Sequence, residues 1–221
     1  MIWIMDTLEL LSFVIGLIYW NKFKGSAIKW FILFLGYNFL NEMVAGLFYV
    51  KTWVDSNVIF FNIRYLIYFG LLFTLYGKQL QNRKYSNTTF FLLFLWFTVF
   101  IYWFSISNVW LKHALVPGLT GGFFLLGIIL FYLIETINHR SMSFIQNNFF
   151  TYLSLGLLLE SVVQLPVLIT IFVGWAQLTD ENDVRNSFFN TIRQVSFAAS
   201  CIMYLVFIYG FYKAKRPELM N

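Results

Sequence analysis

Six charged side chains interrupt the long apolar stretches of this sequence: Glu9, Glu42, Arg64, Glu135, Glu160 and Arg193. Ionisable groups in such stretches are costly to bury, so they normally pair with one another or serve a function. Each arginine can form two parallel hydrogen bonds with a carboxylate. The chemistry to expect from these residues is ion pairing, proton transfer or the binding of a small charged ligand.

Amide and phenol side chains accompany these charges at helical spacing. Asn38 and Asn41 share a helical face with Glu42, because residues three and four positions apart are neighbours on a helix. Similar polar neighbours flank the other charges. The residues predicted to form a ligand-binding site or a buried polar network are Glu9, Asn38, Asn41, Glu42, Arg64, Tyr68, Glu160, Gln164, Asn190 and Arg193.

The composition shows what kind of protein must position these side chains. Of the 221 residues, 60% are hydrophobic and 11% are charged, whereas charged residues make up about a quarter of ordinary soluble domains. A soluble domain of this size cannot hide that much apolar surface. The sequence therefore predicts an all-α polytopic membrane protein.

Seven apolar segments are long enough to cross a bilayer as helices, which takes about 20 residues each. They cover residues 3–21, 30–50, 58–77, 89–108, 118–137, 149–174 and 187–212. Short polar stretches separate them, and none of these loops is long enough to be a folded domain. We expect one domain over residues 1–221, a single bundle of seven transmembrane helices.

The basic residues predict the orientation of this bundle. Ten Lys and Arg residues fall in the first, third and fifth loops and the C-terminal segment, whereas three fall in the opposite loops. Positive charge concentrates in cytoplasmic loops, so the N-terminus is predicted outside and the C-terminus in the cytoplasm. We expect a multi-pass protein of the cell membrane, in a bacterium the inner membrane, with the lipid bilayer as its first partner.

The charged groups are predicted to lie at similar depth. A rise of about 1.5 Å per residue puts Glu9, Arg64 and Arg193 roughly 10 Å below the outer surface. The inner half of the bundle is expected to be almost purely apolar. Glu135 lies apart from the other charges, and a salt bridge at a helix end with His139 or Arg140 is expected for it.

Three interpretations of the outer charges remain open. They can be a structural ion-pair network that fixes helix register. They can form an outward-facing pocket for a small polar or anionic ligand, with Arg64 and Arg193 as anchors. They can also belong to a proton or ion path. Three acids against two arginines leave one carboxylate that can be protonated or can receive a cationic group.

Several catalytic chemistries lack the residues that they need. Cys201 is the single cysteine, and His113 and His139 both fall in predicted loops. A membrane zinc hydrolase, a haem centre and a serine protease with a histidine base all require histidine within the spans. The sequence predicts no cofactor, no bound metal and no enzymatic activity. The net charge of +5 sorts to one side of the membrane, so no nucleic-acid partner is expected.

The seven-helix layout resembles the microbial rhodopsins. The run from Arg64 to Tyr68 is similar to the Arg-Tyr-x-Asp-Trp pattern of their third helix. Ile67 stands where the acidic counter-ion would be, and the seventh predicted span contains no lysine to carry retinal. This resemblance therefore implies topology and not light sensing. In architecture alone, the layout also resembles the seven-helix sensory modules that precede bacterial histidine kinases.

The leading functional prediction is a receptor-like or sensory integral membrane protein with a charged ligand pocket in the outer half of the bundle. It would signal through a separate cytoplasmic or membrane partner. The alternative is a small transporter or channel subunit that uses buried carboxylates for proton or ion coupling. A membrane-embedded lipid-modifying enzyme comes third. A receptor binds its ligand without net flux, whereas a transporter shows flux that depends on Glu42 or Glu160.

Overall fold

The computed structural model describes residues 2–50, 56–174 and 184–215 of the chain. Over these ranges the chain is helical and contains no strand. The α-helices are α1 (Ile2–Ile18), α2 (Ile28–Val50), α3 (Val58–Gln79), α4 (Arg83–Ile106), α5 (Leu115–His139), α6 (Met142–Asn147), α7 (Phe149–Phe172) and α8 (Val184–Lys213). A short 3-10 helix, Trp20–Phe23, follows α1. The predicted all-α class is confirmed.

Six of these helices, α2 to α5, α7 and α8, are long and apolar enough to cross a membrane. The chain is therefore a membrane-spanning helical bundle. The first predicted span corresponds to α1, whose 17 residues cover about 25 Å at 1.5 Å per residue. That is shorter than a typical hydrocarbon layer of about 30 Å, so the seventh span stays a prediction. The orientation of the bundle also stays a prediction. The six-residue helix α6 lies in a loop that the sequence did not predict to be helical.

The helices that pack side by side form a ring. Around it, α1 packs against α2, α2 against α3, α3 against α5, α5 against α7, α7 against α8, and α8 against α1. The remaining long helix, α4, packs against α3 and α5 from outside this ring. The order matters for the site, because residues from helices far apart in sequence can face the same interior.

Glycines allow some of these helices to approach closely. A methyl group on Gly121 of α5 would lie 2.7 Å from both Trp96 Nε1 and Phe69 Cε2, and one on Gly122 would lie 2.8 Å from Leu165 Cδ2. Small residues at helix contacts are a common device in membrane bundles. At this crossing they let α4 and α7 pack tightly against α5.

Backbone contacts define the two ends of the ring. At what we call the N-terminal end, Asn62 of α3 holds the loop between α4 and α5. Its amide donates to the carbonyls of Val109 at 2.8 Å and Lys112 at 3.0 Å, and its oxygen accepts from the Ala114 N–H at 2.9 Å. Asn62 therefore fixes the entry to α5, where the chain must turn within a few residues.

At the opposite, C-terminal end, Lys22 connects the start of the chain to its last helix. The Lys22 ammonium group donates to the carbonyls of Phe211 at 2.8 Å and Tyr212 at 2.9 Å. The last carbonyls of a helix have no partner within the helix and carry partial negative charge. Partial burial lowers the pKa of Lys22, while these two acceptors compensate the ammonium group for the water that it loses.

The expected salt bridge of Glu135 is wrong. Its carboxylate instead accepts two backbone hydrogen bonds, from the Gln81 N–H at 2.7 Å and the Asn82 N–H at 2.9 Å. These N–H groups belong to the turn between α3 and α4, where helix starts leave donors unsatisfied. Glu135 thus joins α5 to the neighbouring turn rather than pairing with His139 or Arg140.

Aromatic rings fill the interior of the ring at its C-terminal end. Phe149 and Phe211 stack with their centroids 4.4 Å apart, and Phe31 meets Phe207 edge to face at 5.2 Å. Each of these side chains is at most 1% exposed. We call Phe23, Phe31, Phe149, Phe207 and Phe211 the phenylalanine plug. It packs the 3-10 helix, α2, α7 and α8 against one another at this end.

Buried polar groups lie beside the phenylalanine plug, so the prediction of an almost purely apolar inner half is wrong. The Tyr76 and Ser154 hydroxyls are 2.8 Å apart and both side chains are fully buried. The Asn148 amide donates to the Tyr132 hydroxyl at 3.0 Å. Tyrosine and serine are uncharged and are not conspicuous within an apolar segment. The sequence pattern therefore did not reveal this hydrogen-bond network.

Candidate functional site

Arg64 of α3 is the centre of the polar groups at the N-terminal end. Its Nη1 donates to Glu42 Oε1 of α2 and forms an ion pair. Within the described residues this is the one salt bridge between side chains. The Arg64 and Glu42 side chains keep 26% and 22% of their accessible surface. The pair is therefore only partly buried. The guanidinium also lies over the Phe61 ring, 5.1 Å from its centroid.

Glu9 of α1 is the most deeply buried acid of this region, with 0% exposure. The Asn38 amide of α2 donates to Glu9 Oε1. The other carboxylate oxygen, Oε2, is buried and has no hydrogen-bond partner. The Tyr204 hydroxyl of α8 lies near this carboxyl group but does not satisfy Oε2. A fully buried carboxyl group with one free acceptor is unusual, because buried polar atoms are nearly always paired.

Two further acids lie near the Arg64–Glu42 pair, one beside each partner. Asp6 of α1 lies within hydrogen-bonding reach of the Glu42 carboxyl group, and its Oδ1 atom is buried without a partner. Glu160 of α7 interacts electrostatically with Arg64. We call Asp6, Glu9, Glu42, Arg64 and Glu160 the Arg64 cluster. With four negative groups and one positive group, its formal charge is −3 if every member is ionised.

Tyrosines border the Arg64 cluster on three sides. Tyr68 and Tyr65 of α3 both lie within electrostatic range of Glu160. Tyr204 of α8 is 6% exposed and lies within the same range of Glu9, Glu42 and Glu160. Phenol groups can donate a hydrogen bond to a carboxylate and present an aromatic face to a cation.

Among the predicted amides, Asn38 and Asn41 lie beside the cluster. Asn38 holds Glu9. Asn41 is 8% exposed, donates to the Phe60 carbonyl at 3.2 Å and accepts from the Tyr37 hydroxyl at 3.4 Å. Asn41 therefore joins α2 to the start of α3 rather than contacting an acid. This positions α2 so that Glu42 faces Arg64.

The structure does not bring three predicted residues of α7 and α8 into the cluster. Arg193 is exposed, its guanidinium lies 5.8 Å from the centroid of the Phe197 ring, and within the described residues it has no ion pair. Asn190 is also exposed and donates to Asn186 at 3.5 Å. Gln164 accepts a hydrogen bond from Ser196, which joins α7 to α8. The direction in which α8 faces was not predicted from the sequence.

Sequence reasoning missed two members of this region. Neither Asp6 of α1 nor Tyr204, which is one of many aromatic residues in the last span, was singled out from the sequence. A usable signal existed for Asp6, because it lies three positions before Glu9 and so shares its helical face. No sequence pattern marks Tyr204, whose role follows from the packing of α8 against α1.

His113, in the loop between α4 and α5, is the titratable group next to this end of the bundle. Its ring packs against Phe61 with centroids 6.1 Å apart. Partial burial lowers the pKa of His113 below its usual 6.5, and the positive charge of Arg64 lowers it further. Within the described residues, no three carboxyl, histidine or cysteine side chains converge closely enough to hold a metal ion.

Five of the six ring helices thus place polar side chains around Arg64, at the end of the bundle opposite the phenylalanine plug. This combination of fold and site defines a class, the membrane-spanning helical bundle with a charged interior at one end. Comparison with protein-family models, with curated proteins and with solved structures finds no match. Function must therefore be argued from the site itself.

Proposed function

We propose that this protein is a receptor-like membrane protein that binds a small polar ligand at the Arg64 cluster. The observation that supports this most directly is the pairing of an accessible, charged cluster at one end with the phenylalanine plug at the other. Such an interior can admit a ligand from one side, but it offers no continuous polar path to the opposite side. Binding without passage is what a receptor requires.

The proposed orientation puts the Arg64 cluster outside the cell and the basic loops in the cytoplasm, as the basic-residue asymmetry predicts. The ligand would then arrive from outside, and α1 would cross the membrane as the seventh span. The signal would pass to a separate cytoplasmic or membrane partner. Within this proposal, the protein has no enzymatic activity of its own.

The link from site to output would run along α1 and α8. The Arg64 cluster contains Asp6 and Glu9 of α1 and is bordered by Tyr204 of α8. At the other end, the Lys22 ammonium joins the segment after α1 to the last carbonyls of α8. A ligand that shifts α1 against α8 would therefore change the surface at the C-terminal end, where a partner would bind.

A proton- or ion-coupled transporter is the second candidate, and one observation favours it. The acids of the cluster outnumber Arg64 by four to one, and buried carboxyl groups in membrane bundles often carry protons. The phenylalanine plug would have to open during transport. A lipid-modifying enzyme has no comparable support among the described residues.

The test uses protein reconstituted in liposomes with a fluorophore attached at Lys215→Cys, in a background in which Cys201 is replaced by serine. A library of small anions, cations, zwitterions and neutral polar compounds is then screened. A receptor should change the fluorescence at position 215 with at least one compound, and Arg64→Ala should abolish the change. Protein-dependent flux that Glu42→Gln or Glu160→Gln removes would contradict the receptor proposal and support the transporter.

A further inference from the structure

Two hydrogen-bond acceptors of the Arg64 cluster have no donor. Its single guanidinium is already paired with Glu42. Two acceptor atoms on α1, Asp6 Oδ1 and Glu9 Oε2, are buried and have no partner. Among the described residues that interact with these two acids from neighbouring helices, the charged groups are Glu42 of α2 and Arg64 of α3. The neutral donors near Glu9 are the Asn38 amide and the Tyr204 hydroxyl, and neither satisfies Glu9 Oε2. The site therefore has more acceptors than donors, and its one positive charge is already paired.

Glu9 makes this more than a group of acidic residues. It is completely buried, one oxygen is held by Asn38, and the other is left free. The Asn38 hydrogen bond fixes the direction of the carboxyl plane, so the free oxygen has a defined position. An unsatisfied buried acceptor destabilises the fold unless something binds to it.

An ammonium group matches these two oxygen atoms in charge and in hydrogen bonding. A primary ammonium has three N–H donors, enough for Asp6 Oδ1, Glu9 Oε2 and one further acceptor. It would reduce the excess negative charge of the cluster, and the neighbouring tyrosine rings can stabilise a cation. An anion would instead meet the carboxyl groups of Asp6 and Glu9 and an arginine that already has a partner. A metal ion would find no group of three ligands among the described residues.

We infer that the Arg64 cluster is a binding site for a primary ammonium group, held by Asp6 and Glu9. This inference rests on the proposed function, because it names the ligand class of the same pocket. Two sources share this chemistry: a free small amine, or the headgroup of an amino-phospholipid in the membrane. The depth of Glu9, roughly 10 Å from the start of α1 by helical rise, is compatible with either source.

The test compares two probes that differ in one group. Ethanolammonium carries an ammonium group where ethylene glycol carries a hydroxyl group. Wild-type protein in phosphatidylcholine nanodiscs, which contain no primary ammonium, is titrated calorimetrically with each probe at constant ionic strength. Ethanolammonium should bind with one site per chain, and ethylene glycol should not bind. Equal binding of both probes, or binding of neither, would overturn the inference.

Variants then locate the site. Glu9→Gln should weaken ethanolammonium binding about tenfold or more, as expected for the loss of a charge-assisted hydrogen bond. Glu135→Gln makes the same chemical change at the C-terminal end and should leave the affinity unchanged. Asp6→Asn is the second variant, in case Glu9→Gln does not fold. Unchanged affinity in Glu9→Gln or in Asp6→Asn would overturn the assignment, and the comparison of the two probes needs no variant.

Nanodiscs of phosphatidylethanolamine separate the two sources. If the lipid headgroup occupies the site, the thermal midpoint should rise without added amine and the response to ethanolammonium should disappear. If a free amine is the ligand, the response should persist. Either result supports an ammonium site, provided that Glu9→Gln removes it.

This experiment can fail independently of the proposed function. Ethanolammonium binding that leaves the label at position 215 unchanged would keep the ammonium site and remove the receptor. A different compound that changes the label, without any ethanolammonium binding, would keep the receptor and remove the ammonium site.

Discussion

The two ends of the bundle both contain polar side chains, but only one end satisfies its carboxyl oxygens. At the C-terminal end, Tyr76 pairs with Ser154, Asn148 with Tyr132, and the partly exposed Glu135 with two backbone N–H groups. Thr151 Oγ1 is the buried polar atom that lacks a partner there among the described residues. At the N-terminal end, Asp6 and Glu9 each keep a buried oxygen without a partner. A structural role is enough to account for the polar groups that have hydrogen-bond partners. Unpaired ones at a cluster with excess charge point to a role that the folded chain alone does not fulfil.

The polar groups of the two ends also differ in how much of their surface is accessible. The polar groups beside the phenylalanine plug lie in a closed, aromatic interior, where a hydrogen bond fixes one arrangement of the helices. The Arg64–Glu42 pair keeps about a quarter of its surface accessible, so it can exchange partners with an incoming molecule. The first region should respond to substitution through stability, and the second through both stability and binding.

The largest effect is expected for Arg64→Ala. The substitution leaves Glu42 and Glu160 without their positive neighbour, and breaking a buried pair typically costs about 3–5 kcal/mol of unfolding free energy. Because the pair is partly accessible, the lower part of that range is expected. Unfolding by a detergent titration measures it.

Two controls sharpen this result. Arg193→Ala, which removes an exposed arginine that forms no ion pair with any described residue, should change the unfolding free energy far less. Arg64→Lys should restore part of the loss, because an ammonium keeps the charge without the two-pronged geometry. Equal losses for Arg64→Ala and Arg193→Ala would show that Arg64 is not the centre of a buried cluster.

A smaller loss is expected for Tyr76→Phe at the C-terminal end. It removes the hydroxyl that pairs with Ser154 and leaves a buried serine oxygen unsatisfied, which costs about 1–3 kcal/mol. Tyr102→Phe is the matched control, since Tyr102 is 66% exposed. Thermal melting with and without ethanolammonium should give the same loss in both conditions. A loss that depends on the amine would break the distinction between the two ends.

In the absence of ligand, Glu9→Gln should not lower the free energy of unfolding. Replacing a buried, half-satisfied carboxyl group by a neutral amide removes a charge that the protein must desolvate, and it supplies donors where acceptors are in excess. We expect unfolding free energy equal to wild type or higher by about 1 kcal/mol. A clear destabilisation in chemical unfolding would mean that Glu9 is a structural member like Tyr76.

The smallest effect concerns pH at the N-terminal end. The folded state lowers the pKa of His113 below 6.5, so the unfolded chain binds a proton more readily. The stability that this contributes is present above pH 6.5 and is lost as the pH falls through the folded-state pKa. His113→Gln should flatten this part of the pH profile of thermal melting. His139→Gln, at an exposed position, should leave the profile unchanged.

Composition and hydropathy were enough to predict a helical membrane protein, because 60% hydrophobic content leaves no soluble alternative. They also located Glu42, Arg64 and Glu160, since a charge in an apolar run is conspicuous. They did not predict the direction in which α8 faces. Its many aromatic residues give no strong amphipathic pattern, so Arg193 was predicted to face the site and Tyr204 was not singled out. Hydrogen bonds such as the one between Tyr76 and Ser154 were not predicted either, because they depend on which helices pack together.

The closure of the ring between α1 and α8 has a consequence for biogenesis. During synthesis, α1 and α2 leave the ribosome first, so Asn38 is available to Glu9 almost at once, whereas α8 and its Tyr204 arrive last. Until then, the face of α1 that carries two acids must be shielded by the insertion machinery or remain near the membrane surface. The helix that carries two acids, α1, is thus synthesised long before α8, the neighbour against which it packs. Truncations that stop before Val184 should leave the face of α1 that carries Asp6 and Glu9 without its α8 neighbour, even though every residue of α1 is intact.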